Sequence, residues 1–208
     1  KTRKDNPQDL LEQIFHISQE LRANFSNSLS GRRKITACSI GFPGPIAGHS
    51  VLPSEPLGFP KAIDFYKSLK EKLRIEIFIG NDLNFAVLAE IKKGVGRIYK
   101  NFCLLTISTG IGIGVVIEGR AYMRNTEIGH CILETNVRHA NPCKGHSGCW
   151  VAQASGSGIQ KSFRKNGIEQ SVEEYFETFR KTQDRDSALH IKTLRRYHAH
   201  GIGNLINA

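Results

Sequence analysis

The sequence predicts an α/β protein of two lobes. Apolar runs such as Ile35 to Ile40 and Ile75 to Ile79 alternate with helical stripes, the pattern of a parallel sheet. A glycine-rich turn then joins Phe102 to Ile107 and Val115 to Ile117, two runs that read as the arms of a hairpin. The chain has 208 residues, 39% hydrophobic and 23% charged, which suits two lobes better than one.

Taken in order, Asn6 and Pro7 start a helix whose Leu10, Ile14, Ile17, Leu21 and Phe25 fall on one face. Ile35 to Ile40 is a strand running into the loop Gly41-Phe42-Pro43-Gly44-Pro45. Ala62 to Leu73 reads as helix, with Ile63, Tyr66, Leu69 and Leu73 inward, and leads to the Ile75 strand. Gly80 permits a sharp turn, after which Leu83, Ala86, Val87 and Glu90 begin a second stripe. A boundary near Asn101 separates lobes of residues 1–100 and 101–208. The second lobe opens with the hairpin, continues through a long Cys/His-containing loop and ends in three helices from Trp150 to Ala208. That division puts Asp82 and the glycine hairpin on facing walls of a cleft, where a substrate site is expected.

Two segments carry chemistry. In TISTGIGIGVVIEGR, Thr106 to Arg120, Gly110, Gly112 and Gly114 alternate with isoleucines. A dinucleotide fingerprint runs from a strand into a helix, whereas here Glu118-Gly119 makes a further turn and Arg120 resumes an extended pattern, so that reading is rejected. Backbone N–H groups at a glycine turn, with the Ser108 and Thr109 hydroxyls, can cradle a phosphate. Alone, the segment reads better as a tight turn without a ligand. In IGNDLNFAVLAE, Ile79 to Glu90, Asn81 and Asp82 stand at a helix N-terminus. Either residue type is favoured there as a cap. The positive helix end also keeps a carboxylate ionised, at the strand edge where α/β sheets place ligands, and such a base can take a proton from a hydroxyl.

Composition excludes several classes. No apolar run approaches the roughly 20 residues of a membrane span and no signal-peptide pattern is visible, so cytoplasm is expected. Five cysteines without a secretory signal favour thiols or metal ligation over a disulfide framework, with Cys38 and Cys103 buried in apolar strands. The net charge of +10 raises nucleic-acid binding, yet the basic clusters at Lys1 to Lys4, Gly31 to Lys34 and Lys192 to Arg196 are short and lack interleaved aromatics. They read as solvated faces, and the charge as a means of attracting an anionic ligand.

Together these segments resemble the sugar-kinase branch of the ROK family (repressors, open reading frames, kinases). GFPGPIAG at Gly41 to Gly48 resembles the family's substrate loop and GNDLNFAVLAE at Gly80 to Glu90 its catalytic-aspartate helix. TISTGIGIGVVIEGR resembles its phosphate hairpin, EIGH at Glu127 to His130 its sugar motif, and CKGHSGCWVAQASGSGI at Cys143 to Ile159 its zinc loop and following helix. The resemblance implies a two-lobed actin-like/ribonuclease H-like sugar kinase fold, incomplete at both ends: the family's first phosphate-contacting turn and last glycine strand have no counterpart here. It implies a glucokinase-like transfer of phosphate from ATP, with Mg²⁺, to a hexose hydroxyl, in a longer parent protein, while these 208 residues alone are expected to be inactive.

By that resemblance Asp82 is the general base, Asn81, Asp82, Glu127 and His130 bind the sugar, and Thr109, Gly110 and Gly112 hold phosphate. The implied partners are a hexose and a nucleotide, with neither nucleic acid nor membrane, and a homodimer is one assembly open to it. The family's zinc site joins the His of its Gly-His pair to three cysteines spaced C-x-C-x4-C. Here His130 is followed by Cys143 and Cys149, with Pro142 and Lys144 where the two earlier cysteines align. His130, Cys143 and Cys149 can therefore hold structural Zn²⁺ if the loop slips by one residue, with His146 or Cys131 as fourth ligand; otherwise the metal is lost. Val151 stands where the family commonly has a sugar-gripping glutamate. A non-catalytic sugar-binding or regulatory relative is therefore the alternative.

Overall fold

The computed structural model describes residues 6–28, 34–53, 57–123, 126–136, 138–143 and 145–207. Asn6 accepts the Gln8 N–H at 3.0 Å and Pro7, which lacks an N–H, takes the first helical position, so helix α1 (Pro7–Ser28) starts where expected. Its buried residues are Leu10 and Leu11, with Ile14 and Phe15 packed beside them. Ile17 and Leu21, expected inward, are exposed at 46% and 59%. The helix has 22 residues and its partner α2 only eight. At about 1.5 Å per residue the shorter helix cannot cover the longer one.

Strand β1 (Ala37–Phe42) begins two residues later than expected and runs to the mouth of the glycine loop. Three short antiparallel strands follow, β2 (Ile46–Ala47), β3 (Ser50–Val51) and β4 (Ile63–Asp64). Ile63 thus lies in a strand, not in the helix expected from Ala62. Asp64 Oδ1 accepts the Tyr66 N–H at 2.8 Å, a local turn that delays the helix until α2 (Tyr66–Leu73). Phe65, at the junction, is buried and stacks on Phe42 with ring centroids 5.2 Å apart. Strand β5 (Glu76–Asn81) pairs with β1 in parallel, from Ala37↔Glu76 to Phe42↔Asn81, and leads directly into α3 (Asp82–Lys93). That is the parallel sheet expected from the alternation.

Strands β6 (Phe102–Ile107), β7 (Ile111–Ile117) and β8 (Arg120–Ala121) form one sheet in that order. Glu118 and Gly119, with φ of 52° and 76°, make the two-residue turn between β7 and β8, which pairs Ile117 with Arg120. The chain forms two compact units, Lys1–Phe102 with Gly114–Asn125, and Cys103–Ile113 with Thr126–Ala208; β7 runs from the second into the first.

In the second unit the Cys/His loop contains a small hairpin of β9 (Pro142–Cys143) and β10 (His146–Ser147). Four helices follow where three were expected: α4 (Trp150–Ala154), α5 (Gly156–Lys165), α6 (Val172–Thr182) and α7 (Arg185–Ile206). The extra break is at Ser155, whose extended backbone ends α4 and whose Oγ accepts the Gly158 N–H at 3.1 Å, capping α5. Trp150, Ile159, Phe163, Ile191 and Leu194 are buried in this unit. The thiols are less buried than expected, Cys38 partly and Cys103 not at all. Lys192, Arg195 and Arg196 on α7 are exposed, whereas the Lys1 to Lys4 cluster and residues 31–33 lie outside the described residues. Among the described residues no helix is long and apolar enough to cross a membrane.

Two glycines of α7 separate packing from propensity. A Cβ on Gly201 would lie 2.3 Å from the fully buried Trp150 ring, while one on Gly203 would meet nothing within 4 Å. Gly201→Ala is expected to cost about 1–3 kcal/mol by overpacking. Gly203→Ala should be neutral or stabilising by up to about 1 kcal/mol, because alanine restricts the unfolded chain. Urea midpoints of the two variants decide this; equal effects would show that α7 does not seat on Trp150 as described.

Candidate functional site

The start of α3 is assembled from strand ends. Gly41 and Gly80 face each other across β1 and β5. A Cβ on Gly80 would lie 2.7 Å from the Phe85 ring, and one on Gly41 would lie 3.1 Å from the Asp82 Cα. The bare strand ends therefore let the Phe85 ring approach Gly80 and bring Asp82 close to Gly41. Asn81 is the N-cap: its Oδ1 accepts the N–H groups of Leu83 and Asn84 at 3.0 and 3.2 Å, and its Nδ2 donates to Gly44 O at 2.9 Å. Capping is thus done mainly by Asn81. Asp82 is the first helical residue, exposed, its Oδ1 accepting, among the described residues, the adjacent Leu83 N–H at 2.9 Å. Its carboxylate stays at the positive end of the helix with acceptor capacity to spare. Asn81 keeps one amide hydrogen for a ligand after the bond to the Gly44 loop.

In the second unit the tip of the β6–β7 hairpin docks on α5. Ser108 O accepts the Gly156 N–H at 2.8 Å and Thr109 O the Ser157 N–H at 3.0 Å. Those carbonyls are occupied. Thr109 and Gly110 are exposed, and the space beside the Gly110 Cα is open to 4 Å, so the outer rim of the turn is accessible. The inner rim is packed, with Ile111 and Ile113 buried.

EIGH forms a single tight turn, with Ile128–His130 as a 3-10 helix. A Cβ on Gly129 would lie 2.3 Å from Ile111 O and 2.9 Å from the Val151 methyl, so Val151 packs directly on this turn. His130 Nε2 is 3.9 Å from Glu127 Oε2. Its Nδ1 faces the other way, 3.5 Å from Cys143 Sγ and 3.7 Å from Cys149 Sγ. His146 completes the group, and the four ligand atoms lie within 4.8 Å of one another. Two sulfurs and two imidazoles in that space suit tetrahedral zinc, at roughly 2.0 to 2.3 Å per bond. A second observation supports the fit: His146 Nε2 is the buried side-chain N or O atom without a hydrogen-bond partner among the described residues. Buried polar atoms are normally satisfied. Burial pushes the Cys149 thiol up to about 11, as does its contact with Cys143, so without metal it is protonated.

The geometry thus brings together Asn81 with Asp82, and, separately, Glu127, His130, Cys143 and Cys149. It selects His146 over Cys131 as the companion of the cysteines; Cys131 bonds the Asn204 side chain. Sequence reasoning missed the Gly41–Gly80–Phe85 seat, for which the only signal was a glycine at the end of each of two paired strands.

Asn81→Ala removes the acceptor of two helix amides and the tie to Gly44, and should cost about 1–2 kcal/mol. Asp82→Asn should leave stability within about 0.5 kcal/mol. Chemical denaturation of both tests the division of labour, and the reverse order would make Asp82 the cap.

Over residues 1–208 the sequence matches the ROK family. It is 34% identical over 106 residues to the xylose repressor of Bacillus subtilis (strain 168), covering 49% of this chain and 27% of that protein. It is 33% identical over 132 residues to a glucokinase of Thermotoga maritima, covering 61% of this chain and 41% of the relative. The matched segments span less than half of these curated relatives. Among solved structures, a ROK hexokinase from Thermus thermophilus superposes with a TM-score of 0.75 at 24% identity, over 99% of this chain and 68% of that one. A ROK transcriptional regulator homologous to the Escherichia coli MLC protein gives 0.77 at 21%, over 98% and 54%. The α/β fold is thus the actin-like/ribonuclease H-like fold of ROK sugar kinases, and the chain belongs to the ROK family.

Proposed function

We propose that this chain is the core of a sugar kinase that moves a phosphoryl group from ATP to a hexose hydroxyl, with Asp82 as general base. The observation that carries the reading is the division of labour at α3: Asn81 satisfies the helix amides, leaving the Asp82 carboxylate exposed beside the Gly41–Gly48 loop. Phosphoryl transfer asks for alignment and charge stabilisation more than covalent chemistry. Asn81, through its remaining amide hydrogen, and Glu127 and His130 would orient the sugar. The turn at Thr109, Gly110 and Gly112 would receive phosphate with Mg²⁺, the ion neutralising charge on the transferring group. Residues 1–100 supply the base and sugar loop in this reading, residues 101–208 the phosphate turn and the Cys/His loop. The similarity to glucokinases, and free thiols throughout, accord with a cytoplasmic enzyme of hexose metabolism.

A second reading has its own support. Val151 lays methyl groups against the EIGH turn where the family commonly carries a glutamate, and the similarity to a xylose repressor is as high as that to glucokinases. A sugar-binding regulator without turnover uses the same sugar loop. A coupled kinase assay over glucose, fructose, N-acetylmannosamine and N-acetylglucosamine, on the full-length protein, separates the two. Asp82→Asn should lower turnover by a factor on the order of 10² or more with an unchanged melting temperature. No sugar-dependent ATP consumption in the wild type would select the regulator.

The Cys/His cluster is assigned to structural zinc, held by His130, Cys143, His146 and Cys149. The metal would tie the loop to His130, whose other nitrogen looks toward Glu127. Because the Cys149 thiol must lose its proton to bind, affinity should fall as pH falls and uptake should release protons. One zinc per chain by elemental analysis is expected, with Cys143→Ser and His146→Ala each losing it. A metal-free protein indifferent to both substitutions would sink the assignment.

A further inference from the structure

Glu134 and Gly148 close a loop, the Glu134 N–H bonding Gly148 O at 3.0 Å, and the cluster is divided by that loop. Cys143 and His146 lie within it; His130 and Cys149 lie just outside its two ends. Whatever fixes the neck sets the separation of the two halves.

The neck is crossed by a closed circuit of hydrogen bonds. Tyr197 O–H, from α7, donates to Glu134 Oε2 at 2.9 Å. Gln153 Nε2, from α4, donates to the Tyr197 oxygen at 2.9 Å and to His139 O at 2.9 Å. Gln153 Oε1 accepts the Asn141 N–H at 2.7 Å. Asn141 O accepts the Gly148 N–H at 2.9 Å, and Gly148 O accepts the Glu134 N–H at 3.0 Å, which returns to the starting residue. Gly148 has φ +76° and a Cβ there would lie 1.9 Å from Glu134 O, so the two strands of the neck touch.

Gln153 and Tyr197 are 5% and 4% exposed. Burying an amide and a phenol is costly unless every polar atom is paired, and cores normally avoid the need with apolar side chains. Here both are used: Gln153 satisfies the His139 carbonyl and the Asn141 amide inside the loop, and Tyr197 ties Gln153 to the Glu134 carboxylate at the neck. The direction of each bond is set as well: the Asn136 N–H and the Tyr197 hydroxyl hold the Glu134 carboxyl below its usual range, so it accepts and cannot donate. Tyr197 must then donate to Glu134 and accept from Gln153, which turns the Gln153 oxygen toward Asn141.

We infer that Gln153, Tyr197 and Glu134 are positioning residues for the Cys/His cluster, their circuit locking the neck of residues 135–148 and so setting the distance between the His130/Cys149 and Cys143/His146 halves. The inference deepens the metal reading and rests on it for its effect on affinity, but not for the lock itself. Packing of α7 is coupled to the cluster by this route, although no residue of α7 is a ligand.

The test uses Tyr197→Phe, which keeps the ring and deletes the bridging oxygen, with Gln153→Leu, the conservative Glu134→Gln and the exposed control Lys192→Ala. Zn²⁺ affinity is read by chelator competition, geometry by the visible absorption of the Co²⁺ form, and the lock by amide hydrogen exchange in metal-free protein. Tyr197→Phe and Gln153→Leu should each weaken Zn²⁺ by about tenfold and alter the Co²⁺ spectrum, the scale of an outer-shell loss. Exchange should quicken at the Asn141, Gly148 and Glu134 amides, while α5 is unchanged. Glu134→Gln, which keeps an acceptor for the phenol, should retain most of the affinity, and Lys192→Ala all of it. Zn²⁺ affinity within about twofold of wild type in Tyr197→Phe, or exchange accelerated equally throughout α5 and α7, overturns the inference. If Gln153→Leu does not fold, Tyr197→Phe decides. A wild-type chain that takes up neither metal overturns the metal reading instead; the lock is then judged on exchange alone, and unchanged exchange at the three amides in Tyr197→Phe overturns it.

Discussion

The candidate base is where it is because two strand ends carry no side chains. Gly41 and Gly80 are register partners in β1 and β5; the Phe85 ring occupies the space that a Gly80 Cβ would fill, and Asp82 crowds the place of a Gly41 Cβ. A helix that packs on a sheet through one aromatic ring is fixed in height and rotation by that ring. Phe85 is one turn into α3, so its seat also sets where the first helical residue, Asp82, stands. Gly114 repeats the device on another strand, where an added Cβ would lie 2.1 Å from a Val87 methyl. The helix body is held by close approach, and its N-terminus by Asn81, which leaves the Asp82 carboxylate exposed.

At that N-terminus the order of Asn and Asp matters. An aspartate at the cap spends its oxygens on helix amides and becomes a poorer acceptor for a substrate proton. With Asn81 at the cap and Asp82 one residue on, the neutral side chain does the structural work and the charged one is spared. The same separation recurs at His130, one ring nitrogen facing the sulfurs and the other Glu127. A metal on Nδ1 leaves the proton on Nε2 and so fixes which tautomer meets a ligand on the Glu127 side.

What was legible in the sequence was what local pattern controls. The β1–β5 parallel pair, the β6–β7 hairpin and the Glu118-Gly119 turn follow from apolar alternation and from residues that tolerate positive φ. What was not legible depended on single side chains overriding periodicity. Ile63 fits a helical stripe, but the Asp64 carboxylate captures the Tyr66 amide and gives Ile63 to a strand. Ile17 and Leu21 continue an apolar face, and nothing in that face reveals that α2 has only eight residues. Asp82, Asn81, Glu127 and His130 could be named because their motifs are contiguous. His146 could only be offered beside Cys131, since choosing between them needs the β9–β10 hairpin, which pairs His146 with Cys143.

That hairpin explains how a loop out of register with its family's cysteine spacing still gathers its donors. In an antiparallel pair, directly opposed residues project their side chains to the same face. Cys143 and His146 are such a pair, so a thiolate displaced by one residue gains an imidazole at its side. A ligand lost at one position and regained at another keeps four donors but exchanges sulfur for nitrogen. Two thiolates carry one negative charge less than three, so bound Zn²⁺ would form a neutral rather than an anionic centre. A neutral centre on His130 would draw more electron density from the imidazole than an anionic one. With zinc bound, the Nε2–H facing Glu127 would then be the stronger hydrogen-bond donor.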